Sequence, residues 1–355
     1  MPDTVLEGRN LVLAFVGRGR HAGLAPPLEG PPREGRIVAL AGVSLAVARG
    51  EVVGVVGASG AGKSSLVRVL ACLLKPDAGE VYWRGMRVDD LPEAKRRPWR
   101  HLVQVVFQEP GSSFNPRLSV GFGLREALNQ GRKARANSEK SPGPERDPMA
   151  AIWGAKSDQD AIRSLFAVVG LDFSPPLLER RIFEFSGGQR QRLSLARALA
   201  AAPEVLLLDE PVASLDVPVR HRFLDTLREA VSRAGLAVVL VTHDLAVLEG
   251  LARRVLVLLS GRVVEEGLWE QVRKAPLHPY TWALLEASRT VPRGQRFFQL
   301  GASGCPFRLA CPRASAACTA DPPLEGEGER RVACFHPLSG NISNEKLVER
   351  QREGG

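Results

Sequence analysis

The sequence predicts an α/β fold in which a largely parallel sheet is covered on both faces. Three observations lead there. Residues 51–56, apolar after Glu51, read as a buried strand that empties into a glycine-rich turn, with a helical stretch starting near Gly62. Residues 205–208, Val205-Leu206-Leu207-Leu208, form a second run with no polar residue in it. Helical stretches separate such runs along the chain. Strands buried on both faces read as continuous hydrophobic runs, and their alternation with helices implies crossover connections and a parallel sheet.

The other elements follow in order. Residues 36–48 alternate apolar and polar and predict an antiparallel strand ahead of the first buried one, punctuated by Gly50. A strand is expected at 102–107, a helix at 189–202, a helix at 218–233 and a strand at 237–241. Helical periodicity at 119–130 and 159–170 predicts a small helical subdomain, about 109–202, inserted into a core that spans 1–267. Two stretches break the pattern: 21–35, rich in Gly and Pro, and 131–158, where Lys, Arg, Ser, Pro and Glu mix without periodicity. Both are expected to be loops or flexible inserts. Beyond about Leu268 a separate extension, 268–340, and a disordered tail, 341–355, are expected. No internal repeat is present.

Composition supplies a core and excludes some roles. Of 355 residues, 44% are hydrophobic and 25% charged, enough apolar material for one large domain with an appendage. No apolar run approaches the roughly 18–20 residues of a membrane-spanning helix; the longest, such as 11–16, have strand length. Residues 1–10 lack a basic-then-apolar leader, so a cytoplasmic location is expected. The net charge of +9 comes mostly from Arg scattered along the chain, which reads as a solvated surface rather than a nucleic-acid footprint.

Gly57-Ala58-Ser59-Gly60-Ala61-Gly62-Lys63-Ser64-Ser65 matches G-x-x-x-x-G-K-[ST], with the required strand before it and helix after it. Glycines let backbone N–H groups curl around phosphates, Lys63 supplies a fixed positive charge, and the Ser64 hydroxyl can reach Mg²⁺. The apolar run 205–208 ends in Asp209 and Glu210. Asp209 suits an Mg²⁺ role, and Glu210 suits orienting or deprotonating an attacking water. A solvated turn would also place two acids there, but the upstream loop favours the chemical reading.

Phe185-Ser186-Gly187-Gly188-Gln189-Arg190-Gln191-Arg192 resembles the signature sequence of ABC transporter ATPases. In that family Ser186, Gly187, Gly188 and Gln189 meet the γ-phosphate held by another subunit's phosphate loop, so the resemblance implies a head-to-tail dimer with ATP between the two. The start of a helix is suited to such a contact by its unpaired N–H groups. Gln108 resembles the Q-loop glutamine, which contacts Mg²⁺ or water. Ser214-Leu215-Asp216 resembles the D-loop, and Thr242-His243-Asp244 contains the switch histidine. Phe15 resembles the aromatic that stacks on adenine, although Leu13 and Ala14 stand where the family often has polar residues and core packing is an alternative.

Val106-Phe107-Gln108-Glu109-Pro110, Phe114-Asn115-Pro116-Arg117, the run from Glu210 to Val217 and His278-Pro279-Tyr280-Thr281 are similar to the oligopeptide and dipeptide permease branch. The resemblance implies an ATP-hydrolysing subunit of a peptide importer on the cytoplasmic face of the membrane. Its partners would be a second ABC ATPase, like or unlike, two membrane permease subunits and, indirectly, an external solute-binding protein. Import of nickel or another small solute, or service in a soluble enzyme complex, stays open. A nucleic-acid-acting member is disfavoured because two cassettes or a long coiled coil are missing. Cys305, Cys311, Cys318 and Cys334 are able to converge on one centre; their spacing leaves Zn²⁺ and an iron–sulfur cluster open. The resemblance implies [4Fe–4S], with zinc as the alternative and His336 as a possible replacement ligand.

Overall fold

Apolar runs and helical stretches resolve into two sheets flanked by helices. The computed structural model describes residues 3–16, 23–24, 36–136, 150–213, 215–290 and 303–338. Its strands are β1 (Thr4–Val16), β2 (Gly23–Leu24), β3 (Arg36–Ala48), β4 (Val52–Val56), β5 (Ala78–Trp83), β6 (Met86–Arg87), β7 (Val103–Val106), β8 (Val205–Asp209), β9 (Ala237–Thr242), β10 (Arg254–Leu259), β11 (Arg262–Leu268), β12 (Glu325–Glu327) and β13 (Arg330–Val332). The helices are α1 (Lys63–Leu70), α2 (Glu93–Arg96), α3 (Val120–Ala136), α4 (Ala150–Trp153), α5 (Asp158–Val168), α6 (Gly187–Ala200), α7 (Val217–Ala234), α8 (Trp269–Lys274) and α9 (Pro279–Thr290).

The larger sheet runs β12-β13-β11-β10-β4-β9-β8-β7. From β10 to β7 every pairing is parallel. Residues along these strands alternate between two cores, as period two requires. Val52, Val56, Leu206, Leu208, Val238 and Leu240 join one core, together with residues of α3, α5, α6 and α7. Val53, Val55, Leu207, Val239 and Val241 join the other, with α1 and the smaller antiparallel sheet, in which β1 pairs with β2, β3 and β5. One face of the parallel sheet is therefore covered by helices and the other by one helix and a second sheet. The Trp83 indole N–H donates to the Leu70 carbonyl (3.0 Å) and ties β5 to α1.

Helix boundaries follow local chemistry. Ser186 caps α6, and its amide is held by the Gln189 side chain three residues on, a reciprocal capping box. Ser157 accepts from the Asp160 amide at the start of α5. Pro218 stands in the first turn of α7, which stops at Gly235 in the left-handed region (φ 63°).

Two expectations change. The stretch 131–158 was expected to be flexible, yet 131–136 are the last turns of α3 and 150–153 form α4. The reason is packing: a side chain at Gly131 would strike the Ala200 carbonyl oxygen, so the missing Cβ lets α3 lie against the end of α6. The Trp153 indole N–H donates to that same carbonyl (3.0 Å). Residues 137–149 lie outside the described residues, as do 25–35 of the first expected loop and the tail, 341–355. The C-terminal region was expected to stand apart, but β13 pairs with β11 and extends the main sheet. Among the described residues no helix is long and apolar enough to cross a membrane.

Candidate functional site

Parallel order puts the carboxyl ends of β4, β9, β8 and β7 side by side, with Val56 opposite Thr242, Asp209 opposite Val241 and Val106 opposite Leu208. Open α/β sheets bind ligands at such ends. The residue after β4 is Gly57, after β9 His243 and after β8 Glu210, with Gln108 two residues past β7. The loop Gly57–Ser65 is shaped by glycines: Gly57 and Gly62 have φ of 158° and 102°, and a side chain at Gly62 would collide with the Ala39 carbonyl oxygen of β3.

The Lys63 ammonium is buried and donates to the Gly57 and Ala58 carbonyls, both at 2.9 Å. Burial lowers its pKa, opposed by the charges of Glu210 and Asp209. The Ser64 hydroxyl donates to Asp209 Oδ1 (3.0 Å), so the two residues assigned to Mg²⁺ face each other. Asp209 is buried, which raises its pKa. Glu210 holds a left-handed backbone (φ 49°), uncommon for a residue with a side chain and costing about 1–3 kcal/mol. Its Oε2 accepts from His243 Nδ1 (3.1 Å) and from Gln108 Nε2 (3.4 Å). Lys63, Ser64, Asp209, Glu210, His243 and Gln108 thus form one constellation.

Comparison with known proteins follows the same lines. The family model described as ABC transporter matches residues 40–213. That described as oligopeptide/dipeptide transporter, C-terminal region, matches residues 264–318. A protein of Brucella abortus (strain 2308) that carries the name of a peptide import ATP-binding protein is 38% identical over 319 residues, covering 85% of this chain and 88% of its own length. The chain belongs to the ABC transporter ATP-binding family. A Brucella ovis protein named in the same way is 36% identical over 303 residues, covering 82% of this chain and 89% of its own. Among solved structures, a dimeric bacterial ABC transporter cassette matches with a TM-score of 0.57 at 25% identity, over 74% of this chain and 98% of that one. An ATP-binding cassette in a dimeric post-hydrolysis state with ADP and Pi matches with a TM-score of 0.55, also at 25% identity and with the same coverage.

Other assigned residues of this ABC ATPase lie elsewhere. Ser186, Gly187, Gly188 and Gln189 begin α6, with Ser186 exposed. No hydrogen bond joins them to the loop Gly57–Ser65 among the described residues. Asp216 is exposed ahead of α7, and Ser214 lies outside the described residues. Phe15 sits in β1 opposite Ile37 and Leu24, partly buried against the core shared with α1.

Cys305, Cys311, Cys318 and Cys334 are free thiols lining one cavity, together with His278 and His336. Among the described residues no three His, Cys, Asp or Glu side chains stand close enough to hold a single metal ion. His336 Nε2 is 2.7 Å from the Ser315 hydroxyl. Sequence reasoning missed Tyr280, whose hydroxyl oxygen accepts from the Ala58 amide (2.8 Å) across 222 positions. The only signal was its place in the His278-Pro279-Tyr280-Thr281 motif.

The hydrogen bond to Glu210 raises the His243 pKa above its ordinary 6.5, and the same bond lowers Glu210 below its ordinary 4.5. A raised His contributes stability fully below its unfolded value and loses it as pH rises through the folded one. A depressed Glu contributes above its unfolded value and loses it as pH falls through the folded one. The pair therefore stabilises most between these ordinary values. His243→Gln is expected to lower the melting midpoint most near about pH 5.5 and to have its smallest effect near about pH 9. Melting curves of both proteins across pH check it; an effect that grows with pH would contradict the pairing.

Proposed function

We propose that this chain is the ATP-binding and ATP-hydrolysing subunit of an importer for di- and oligopeptides. Family membership carries the ATPase half. The match of residues 264–318 to the oligopeptide/dipeptide C-terminal region, and relatives named for peptide import, support the cargo. In this reading the helices between β7 and β8 form the helical subdomain that transmits closure and opening of an ATPase dimer to two separate permease subunits at the cytoplasmic face.

The single observation that carries the chemistry is the convergence of two hydrogen bonds on Glu210 Oε2 beside the Lys63 loop. The backbone amides of Ser59, Gly60, Ala61, Gly62, Lys63, Ser64 and Ser65 cradle the phosphates, and Lys63 leaves its loop carbonyls for phosphate oxygens. Ser64, Asp209 and Gln108 offer the hard oxygen ligands that suit Mg²⁺, which when bound neutralises developing phosphate charge. Glu210 accepts a proton from, or aligns, the attacking water, and His243 reaches the γ-phosphate. Phe15 stacks on adenine. Ser186, Gly187, Gly188, Gln189 and Asp216 act on the nucleotide of a partner subunit; among the described residues no hydrogen bond ties the start of α6 to this chain's own loop, which supports that reading.

The four cysteines line one cavity, and the family resemblance favours [4Fe–4S] there, with Zn²⁺ as the alternative. His278 adds to this: Nδ1 accepts from the Tyr280 amide (3.0 Å), so Nε2 carries the proton, and that buried atom has no protein partner. An acceptor in the cavity would satisfy it. Cys305, Cys311, Cys318 and Cys334 would hold [4Fe–4S], which staples a loop-rich segment short of core.

Glu210→Gln is expected to lose ATP turnover while retaining nucleotide and favouring the dimer; unchanged hydrolysis would remove Glu210 from its role. Protein purified without oxygen is expected to contain iron and sulfide near stoichiometry, and a zinc-only metal analysis would refute the cluster.

A further inference from the structure

The phosphate loop is gripped by the C-terminal region. Ala58 is held on both sides: its carbonyl accepts from Lys63 Nζ (2.9 Å), and its amide donates to the Tyr280 hydroxyl oxygen (2.8 Å). Tyr280, in the first turn of α9, is fully buried. Burial pushes its phenol up to about 12, so it stays neutral at working pH. Its ring meets Phe307 at 64° with centroids 5.5 Å apart, and Phe307 also packs on His278, centroids 6.3 Å apart. Phe307 is likewise fully buried and lies two residues from Cys305, whose amide donates to the Cys318 carbonyl (3.0 Å). The start of α9 is itself clamped. The buried Glu265 of β11 accepts from the Leu277 and His278 amides, both at 2.8 Å, and Arg330 of β13 donates to it (3.3 Å).

A contiguous path of rings and hydrogen bonds therefore runs from the four-cysteine cavity to the second residue of the loop. Packing alone does not require the hydroxyl, because a phenylalanine would fill the same ring position, whereas the hydroxyl meets the one backbone amide at which the loop begins its turn. We propose that Tyr280 is a positioning residue for the phosphate loop, and that through Tyr280 and Phe307 nucleotide binding at Gly57–Ser65 and ordering of the four-cysteine segment are reciprocally linked. The inference rests on the nucleotide reading of that loop. Linkage of this kind is symmetric: whatever the segment does to nucleotide affinity, nucleotide does to the segment.

Tyr280→Phe removes the hydroxyl and keeps the ring. In the full chain it is expected to weaken ATP binding and raise KM for ATP about two- to tenfold, the span of one neutral hydrogen bond, with a smaller change in kcat. Trp153→Phe, which also removes a part-buried hydrogen bond but one made to the end of α6, serves as control: it is expected to lower the melting midpoint and leave ATP affinity unchanged. Hydrogen exchange at the Cys305, Arg308 and Ala310 amides is expected to slow when ATP is added to the unaltered chain, and not in Tyr280→Phe. Equal ATP affinity in Tyr280→Phe and the unaltered chain would overturn the proposal, as would ATP-induced protection that persists in the variant. Should Tyr280→Phe fail to fold, exchange in the unaltered chain decides: protection by ATP supports the link and its absence overturns it. Failure of the unaltered chain to bind ATP would strike the ATPase reading itself, and this link with it.

Discussion

Parallel registration of β4, β9, β8 and β7 is the constraint on which the site depends. Residues that follow a strand are placed by that strand, and adjacent strands in a sheet stand only about 4.8 Å apart. Four stretches separated by as many as 186 positions, from Gly57 to His243, thereby meet at one edge. The side chains of β4, β8 and β9 are buried throughout, so the sheet cannot slip by one residue without turning one core's residues into the other. Rigidity in the apolar strands is what allows Glu210 to be held in an unfavourable backbone conformation where its carboxylate receives both His243 and Gln108.

The sequence exposed this arrangement well because each part has a short-range signature. A phosphate loop needs its glycines and lysine in fixed order, and a strand buried on both faces needs unbroken apolar residues, so Gly57–Ser65 and 205–210 could be recognised without tertiary information. The same holds for β3, whose bounds fell where alternation placed them, while α6 begins at Gly187, two residues before the expected 189. What stayed hidden depends on contacts between distant residues. The pairing of β13 with β11 involves a three-residue strand with weak patterning, and Glu265, fully buried, takes its partners from 277, 278 and 330. The helical ends of 131–158 were masked by polar composition, while their order comes from Gly131 and Trp153 meeting Ala200.

The C-terminal region gains meaning from this. It continues the main sheet, lines a cavity with four thiols and sends one hydroxyl to the phosphate loop. Such a region is built into the core it follows, and the Tyr280 hydrogen bond joins it to the glycine-rich loop. Ser186 is exposed at a helix start, and it is in the proposed function that it meets the nucleotide of a second subunit.

In the function proposed, Gln108 and His243 take up their roles at Mg²⁺ and the γ-phosphate through one carboxylate, Glu210, to which both donate. A double-mutant cycle on single-turnover ATP hydrolysis tests this, using Gln108→Ala, His243→Ala and the pair. Each single change is expected to slow hydrolysis about 10²-fold or more, with the double variant falling little below the slower single. Losses that multiply, to about 10⁴-fold in the pair, would mean two independent actions and would contradict convergence on Glu210.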